Sequence, residues 1–268
     1  MTNTTDTTAV RFPAGTFTPG AGAAPLAAML AAQTRLELRL LLRNGEQLLL
    51  TLFIPVTLLI GLCLLPLDTD LGSSTSERAA TFVPAIMTVA VMSTAFTGQA
   101  IAVGFDRRYG ALKRLGATPI PRWGIIVGKS LAVVAVVVMQ SVIIGVIGAC
   151  FGWRPDILGL VVGALIIAAG TATFSAMGLL LGGTLKAEVV LALANLLWFA
   201  MVGVGSLVVV QSRIPEAVWW AARIIPSGAL TEALERATHG SFDVVGIVVL
   251  LTWALVAGAL AVRWFRFE

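Results

Sequence analysis

The sequence predicts an all-α membrane protein with six transmembrane helices, and three observations carry that prediction. Hydrophobic residues make up 58% of the chain and charged residues 12%, against about 45–50% and about 25% in soluble domains. Six windows free of Asp, Glu, Lys, Arg and His each reach 19 residues, enough to cross roughly 30 Å of hydrocarbon as helix. The windows lack the alternation of a barrel strand, and a backbone in lipid has to satisfy its own hydrogen bonds, so only helices fit.

The windows run Leu48 to Leu67, Ala79 to Phe105, Ser130 to Trp153, Ile157 to Leu185, Val189 to Ser212 and Val244 to Val262. Together they leave no room in 268 residues for a sizeable soluble domain. With the N-terminus inside, the inner segments hold Arg11, Arg35, Arg39, Arg43, Arg107, Arg108, Lys113, Arg114, Arg122, Lys129, Lys186, Arg263 and Arg266, thirteen cations. The outer segments hold five: Arg78, Arg154, Arg213, Arg223 and Arg236. The positive-inside rule therefore puts both termini in the cytoplasm. The same uneven distribution points the net charge of +4 at lipid headgroups, with no nucleic acid implied.

Residues 1–24, rich in Thr, Ala, Gly and Pro, lack the basic start and apolar run of a signal peptide and read as a disordered cytoplasmic tail. From Pro25 to Asn44, Arg35, Arg39 and Arg43 recur every four residues among leucines, which places them on one face of an amphipathic helix. Two readings stand side by side: an elbow helix in the inner headgroup layer that touches a cytoplasmic partner, or a basic interfacial anchor alone. Pro55 and Pro84 are expected to kink the first two spans.

Residues 106–116 read as a short basic cytoplasmic helix, with Asp106 as its cap, Gly116 as its end, and Pro119 and Pro121 barring continuation. A plain positive-inside determinant is the other reading. In the fourth span, Gly159-x-x-x-Gly163 and Gly178-x-x-x-Gly182 allow close helix packing. Gln99, Gln140 and Asn195, on the second, third and fifth spans, are each expected to face other helices, as interhelical hydrogen bonds or as the lining of a substrate path. Residues 213–243 read as a helical hairpin dipping into the outer leaflet, with Trp219 and Trp220 at the interface and Pro226-Ser227 opening its second arm; a solvated loop is the other reading.

Several chemistries are excluded. Gly124 to Ser130 resembles a phosphate-binding loop but is one residue short between its glycines and opens an apolar span, so Gly124 and Gly128 read as packing positions. The single histidine, His239, and the two cysteines, Cys63 and Cys150, supply no catalytic set and no metal site. The cysteines read as two free apolar thiols. No span carries the ionisable group that ion-coupled transport uses.

The segment Asp106-Arg107-Arg108-Tyr109-Gly110-x-Leu112-x-x-Leu115-x-x-Thr118-Pro119, followed by Gly128-Lys129, resembles a signature of type-2 ABC permeases, in particular those similar to the daunorubicin and doxorubicin exporter. Asp106 stands where Glu is commoner, and Ala111 where Thr is common. The likeness covers residues 25–268. It implies the membrane subunit of a drug- or lipid-exporting, efflux-type transporter in a bacterial cytoplasmic membrane. It also implies two cytoplasmic ATPase subunits that carry ATP and Mg, a second permease chain, identical or homologous, and a coupling helix seated on the ATPase. Under that reading Asp106, Arg107, Arg108, Tyr109, Gly110, Leu112, Lys113, Arg114 and Leu115 form the ATPase contact. An ion-coupled secondary transporter, or an anchor or assembly subunit, remains the alternative.

Overall fold

A computed structural model of the chain describes residues 24–65 and 74–266, and every regular element among them is helical. The expected N-terminal tail, with Arg11, and the end of the first window at Leu67 lie outside the described residues. Six helices are long and apolar enough to span a bilayer. In chain order, α1 is Leu26–Arg43 and α2, the first span, is Gly45–Leu64. The second span, α3, is Thr75–Arg108; α4 is the short helix Ala111–Leu115; and α5, the third span, is Arg122–Cys150. Spans four and five are α6, Ile157–Thr184, and α7, Ala187–Val209. The hairpin is α8, Glu216–Ile224, and α9, Pro226–Thr238, and α10, Val244–Trp264, is the last span.

Local chemistry sets the boundaries. The Asn44 side chain accepts from the Gln47 N–H, capping α2 and separating it from α1. Ser74 and Glu77 form a reciprocal capping box at the start of α3, and Asp156 accepts from the Gly159 N–H at the start of α6. Gly110 has φ of 70°, a left-handed geometry that costs other residues strain, and it turns the chain from α3 into α4.

At 34 residues, α3 is about 50 Å long, well beyond the hydrocarbon thickness, so its last turns stand clear of the membrane core. Asp106, Arg107 and Arg108 lie in those turns. The sequence placed Asp106 as the cap of the short helix; the span instead continues through it, and Gly110 starts the short helix.

Pro55 and Pro84 were expected to produce kinks. Near both prolines the helices turn irregular, with π-helical stretches at Leu49–Phe53, ending two residues before Pro55, and at Met92–Gly98, downstream of Pro84. Pro55 has no N–H to offer the Thr51 carbonyl four residues earlier. Gln140 of α5 supplies the missing donor through Nε2, at 3.1 Å, while its Oε1 accepts from Thr94 in the other π stretch at 2.9 Å. One fully buried amide thus ties together the irregular turns of the first two spans.

The hairpin is an integral part of the helix bundle. Residues 226–234 and Ala237 of α9 are all buried, and α9 packs against α3, α6, α7 and α10 as part of the core. Arg223 of α8 and Asp243, just before α10, form a salt bridge with both side chains almost inaccessible, and Arg223 lies 4.8 Å and 5.1 Å from the ring centroids of Trp219 and Trp220. Trp220 remains 42% exposed. Within the fourth span, added Cβ atoms at Gly178 and Gly182 would meet the Phe96 carbonyl at 2.8 Å and the Ala100 carbonyl at 2.4 Å, so these glycines let α6 pack directly on α3. Gly159 approaches the Ala237 carbonyl, whereas Gly163 meets nothing and faces open space rather than a helix. Both cysteines are free, Cys63 buried and Cys150 exposed.

Candidate functional site

Two features at one end and in the adjoining half of the bundle gather the polar residues that an apolar protein of this kind has least reason to hold. The first is an ionic cluster. Lys129 of α5 donates to Glu37 of α1 at 2.8 Å and to Asp106 of α3 at 2.6 Å, and Gln33 of α1 donates to the same Glu37 carboxylate at 2.8 Å. Side-chain exposure is 9% for Lys129 and 8% for Glu37, rising to 34% at Asp106. Burial this deep is tolerated because each charge has a partner and each carboxylate a donor.

The sequence places these groups without announcing them. Gln33 and Glu37 lie one turn apart on α1, about half-way round the helix from Arg35 and Arg39. Arg35, Arg39 and Arg43 are exposed, and Leu36, Leu40 and Leu42 are exposed beside them. The two fully buried residues of this amphipathic helix are therefore polar, with Leu30 and Leu41 half-buried beside them, while its arginines and several leucines point outward. Gly128 lets α1 approach α5, since a Cβ there would lie 2.5 Å from Gln33 Cγ. Gly124 and Gly128 are thus packing positions, as the sequence suggested, with α1 as their partner.

The segment at the end of α3 is held equally firmly. Arg107 donates through Nη1 to the carbonyls of Gly182 and Leu185, both at 3.0 Å, and so caps the C-terminal end of α6. Arg108 pairs with Glu188 at the start of α7, with both side chains about half exposed or more. Leu112 of α4 is buried with Val103, Ile125, Leu179 and Ala261, which roots the short helix under the bundle. Tyr109, Lys113 and Arg114 are exposed around it, Tyr109 to 67%. Leu115 is half-buried.

The second feature is a groove of about 470 Å³ between α2, α3 and α7. Asn44, Glu46, Gln47, Thr51, Ser93, Thr97, Asn195 and Trp198 give it polar lining beside apolar residues such as Leu50, Ile54, Ile101, Leu191 and Phe199. Trp198 donates from its indole to Ser93 Oγ at 3.1 Å, and Thr97 Oγ1 is buried without a partner. Asn195, expected against another helix, is exposed on the groove and only returns a hydrogen bond to Leu191 of its own helix at 2.8 Å. Gln99 and Gln140 do face other helices. Gln99 accepts from Ser175 of α6 at 2.6 Å, and its Nε2 has no partner. Neither Gln99 nor Gln140 is among the lining residues, although Gln140 donates to the carbonyl of Thr51, which is.

This combination of a long second span, a short rooted helix after it, and a buried hairpin before the last span coincides with a match to a known family. The family model described as "ABC-2 family transporter protein" covers residues 64–263, about three quarters of the chain. The chain belongs to the ABC-2 transporter family. No curated protein matches it. ABC-2 permeases are the non-catalytic membrane subunits of ABC transporters and work with an ABC ATPase. The matched region begins at the end of the first span, so α1, with Gln33 and Glu37, lies outside it. In this ABC-2 permease the ionic cluster therefore joins family residues Asp106 and Lys129 to a helix that the family match does not include. Sequence reasoning counted Lys129 as an inner-side cation and as part of the Gly-Lys pair, and missed its two partners. The available signal was a lone pair of polar residues, Gln33 and Glu37, at helical spacing opposite the arginine stripe.

Proposed function

We propose that the chain is the permease of an ATP-driven exporter that moves an amphipathic drug-like or lipid-like molecule across a bacterial cytoplasmic membrane. Both termini then lie in the cytoplasm, and the loop Tyr109 to Pro121 with α4 meets the ATPase. The observation that carries this reading is the ionic cluster. A partner pushing on Tyr109, Lys113 and Arg114 would act on a helix continuous, across one glycine turn, with α3, and Asp106 and Lys129 would pass the displacement to α5 and α1 at once.

The groove between α2, α3 and α7 supplies the path in this reading. A second permease, identical or homologous, would face it and convert an open groove into an enclosed one. Its mixed lining suits a molecule with an apolar body and a polar end. Each permease would be served by one ATPase subunit, which carries the ATP and Mg.

The test is co-expression of the chain with its neighbouring genes, purification in detergent, and an ATPase assay of what co-purifies. A stoichiometric ATP-hydrolysing partner supports the reading; a chain that purifies alone and is inert to ATP contradicts it.

A further inference from the structure

A second groove lies on the opposite, outer half of the bundle. It measures about 510 Å³ and is bounded by α3, α5, the first half of α6 and the end of α9, with Trp153 and Arg154 at its outer mouth. That volume is in the range of sites that bury a small ligand. Its wall is mostly apolar, and Arg154 is the only charged residue among the described residues that line it. Asp156, close by, is committed to capping α6.

Three observations indicate what fills the groove. The exposed faces flanking it are rows of apolar side chains, Val138, Val142 and Val146 on α5 and Leu160, Val161 and Leu165 on α6, each more than half exposed. A groove that opens between such rows in a membrane protein opens to hydrocarbon, not to water. Its length fits one leaflet: Val138 to Ala149 along α5 spans roughly 16 Å, about half the hydrocarbon thickness.

The mouth also has unsatisfied donors. Among the described residues Arg154 donates only through Nη1, to the Ala149 and Trp153 carbonyls, which leaves Nε and Nη2 without a partner there. The Trp153 indole N–H is buried without an acceptor. A guanidinium with two donors to spare at headgroup depth suits a phosphate, and tryptophan is at home at that depth.

We propose that this groove binds an anionic phospholipid of the outer leaflet, with one acyl chain between α5 and α6 and its phosphate on Arg154. The site is separate from the groove between α2, α3 and α7 and does not depend on what the protein transports.

The probe is phosphatidylglycerol with a photoactivatable group near the end of one acyl chain, reconstituted with the full-length chain in proteoliposomes. We expect adducts on residues 138–146 and 160–167 to be enriched at least fivefold over adducts on the equally apolar lipid-facing side of the first half of α10, which includes Val248 and Leu251. The matching phosphatidylcholine probe should show no more than a fifth of that enrichment. Arg154→Gln should remove the preference for phosphatidylglycerol. Gly163→Trp, placed where an added side chain meets open space, should remove the adducts, and Val142→Trp serves if that variant misfolds. Uniform labelling of all lipid-facing helices, or equal labelling by both lipids, overturns the proposal. Efficient disulfide cross-linking of a Val146→Cys variant into dimers also overturns it, by giving the groove to a second copy of the chain.

Discussion

Replacing Lys129 with methionine would keep the length and apolar stem of the side chain and remove its charge. Glu37 and Asp106, which now share one ammonium, would be left side by side with no cation between them. Breaking a buried ion pair by removing one partner costs about 3–5 kcal/mol, because the remaining charge stays buried and unpaired. Glu37 bears most of this, since water reaches Asp106 and screens it. At about 2–4 °C per kcal/mol for a chain of this size, the thermal midpoint of the detergent-solubilised protein should fall on the order of 10 °C. The diagnostic is a double-mutant cycle. Glu37→Gln alone keeps an acceptor for Gln33 and leaves Lys129 with Asp106, so it should cost less, about 1–3 kcal/mol. Combined with Lys129→Met it should restore part of the loss, giving a coupling energy of at least about 1 kcal/mol. Strictly additive single-variant effects, measured by fluorescence-detected thermal unfolding, would refute the cluster as an energetic unit.

Three further outcomes follow from the same geometry. Gln140→Leu removes the donor to the Thr51 carbonyl and the acceptor for Thr94, and should destabilise the chain by about 1–3 kcal/mol in the same unfolding assay. Gly128→Ala puts a methyl group 2.5 Å from Gln33 Cγ and should loosen α1, seen as faster protease cleavage between residues 26 and 44; Gly61→Ala, which meets nothing, should leave cleavage unchanged. On α9, burial and the neighbouring Glu232 carboxylate push the Glu235 carboxyl up from 4.5 to about 7, against the opposing pull of Arg236. Its proton is then held more tightly in the folded state than in the unfolded one, so its contribution to stability is full below pH 4.5, is lost as pH rises to about 7, and is flat above. Glu235→Gln should flatten that slope in a pH series of unfolding midpoints.

How much of this was legible in the sequence depends on the range of the interaction. All six spans and the hairpin were legible because a charge-free run and a helix-breaking residue are local signals. Hence Pro226 opens α9, and Gly116 closes α4, as the sequence indicated. The start of α4 was misplaced because Asp106 is an acceptable cap in isolation, and only a tertiary partner, Lys129, gives it a reason to stay within α3. The depth of α9 was not legible because Ser227, Thr231 and Glu232 look solvated in one dimension, and their burial depends on packing against four other helices. Asn195 shows a choice that one dimension leaves open: a polar residue in an apolar span could bond a neighbouring helix or line a path, and it bonds Leu191 of its own helix and lines a groove. Glu37 was overlooked because its cation stands 92 residues away.

The most direct test of the account is where an ATPase partner touches the chain. A photo-cross-linking amino acid at Tyr109 or at Arg114, both exposed beside α4, should yield an adduct with the co-expressed ATPase; the same group at the exposed Trp220 of the outer hairpin should yield none. Adducts from Trp220, or none from Tyr109 and Arg114 in an assembly that hydrolyses ATP, would contradict the placement of the ATPase and with it the role given to the ionic cluster.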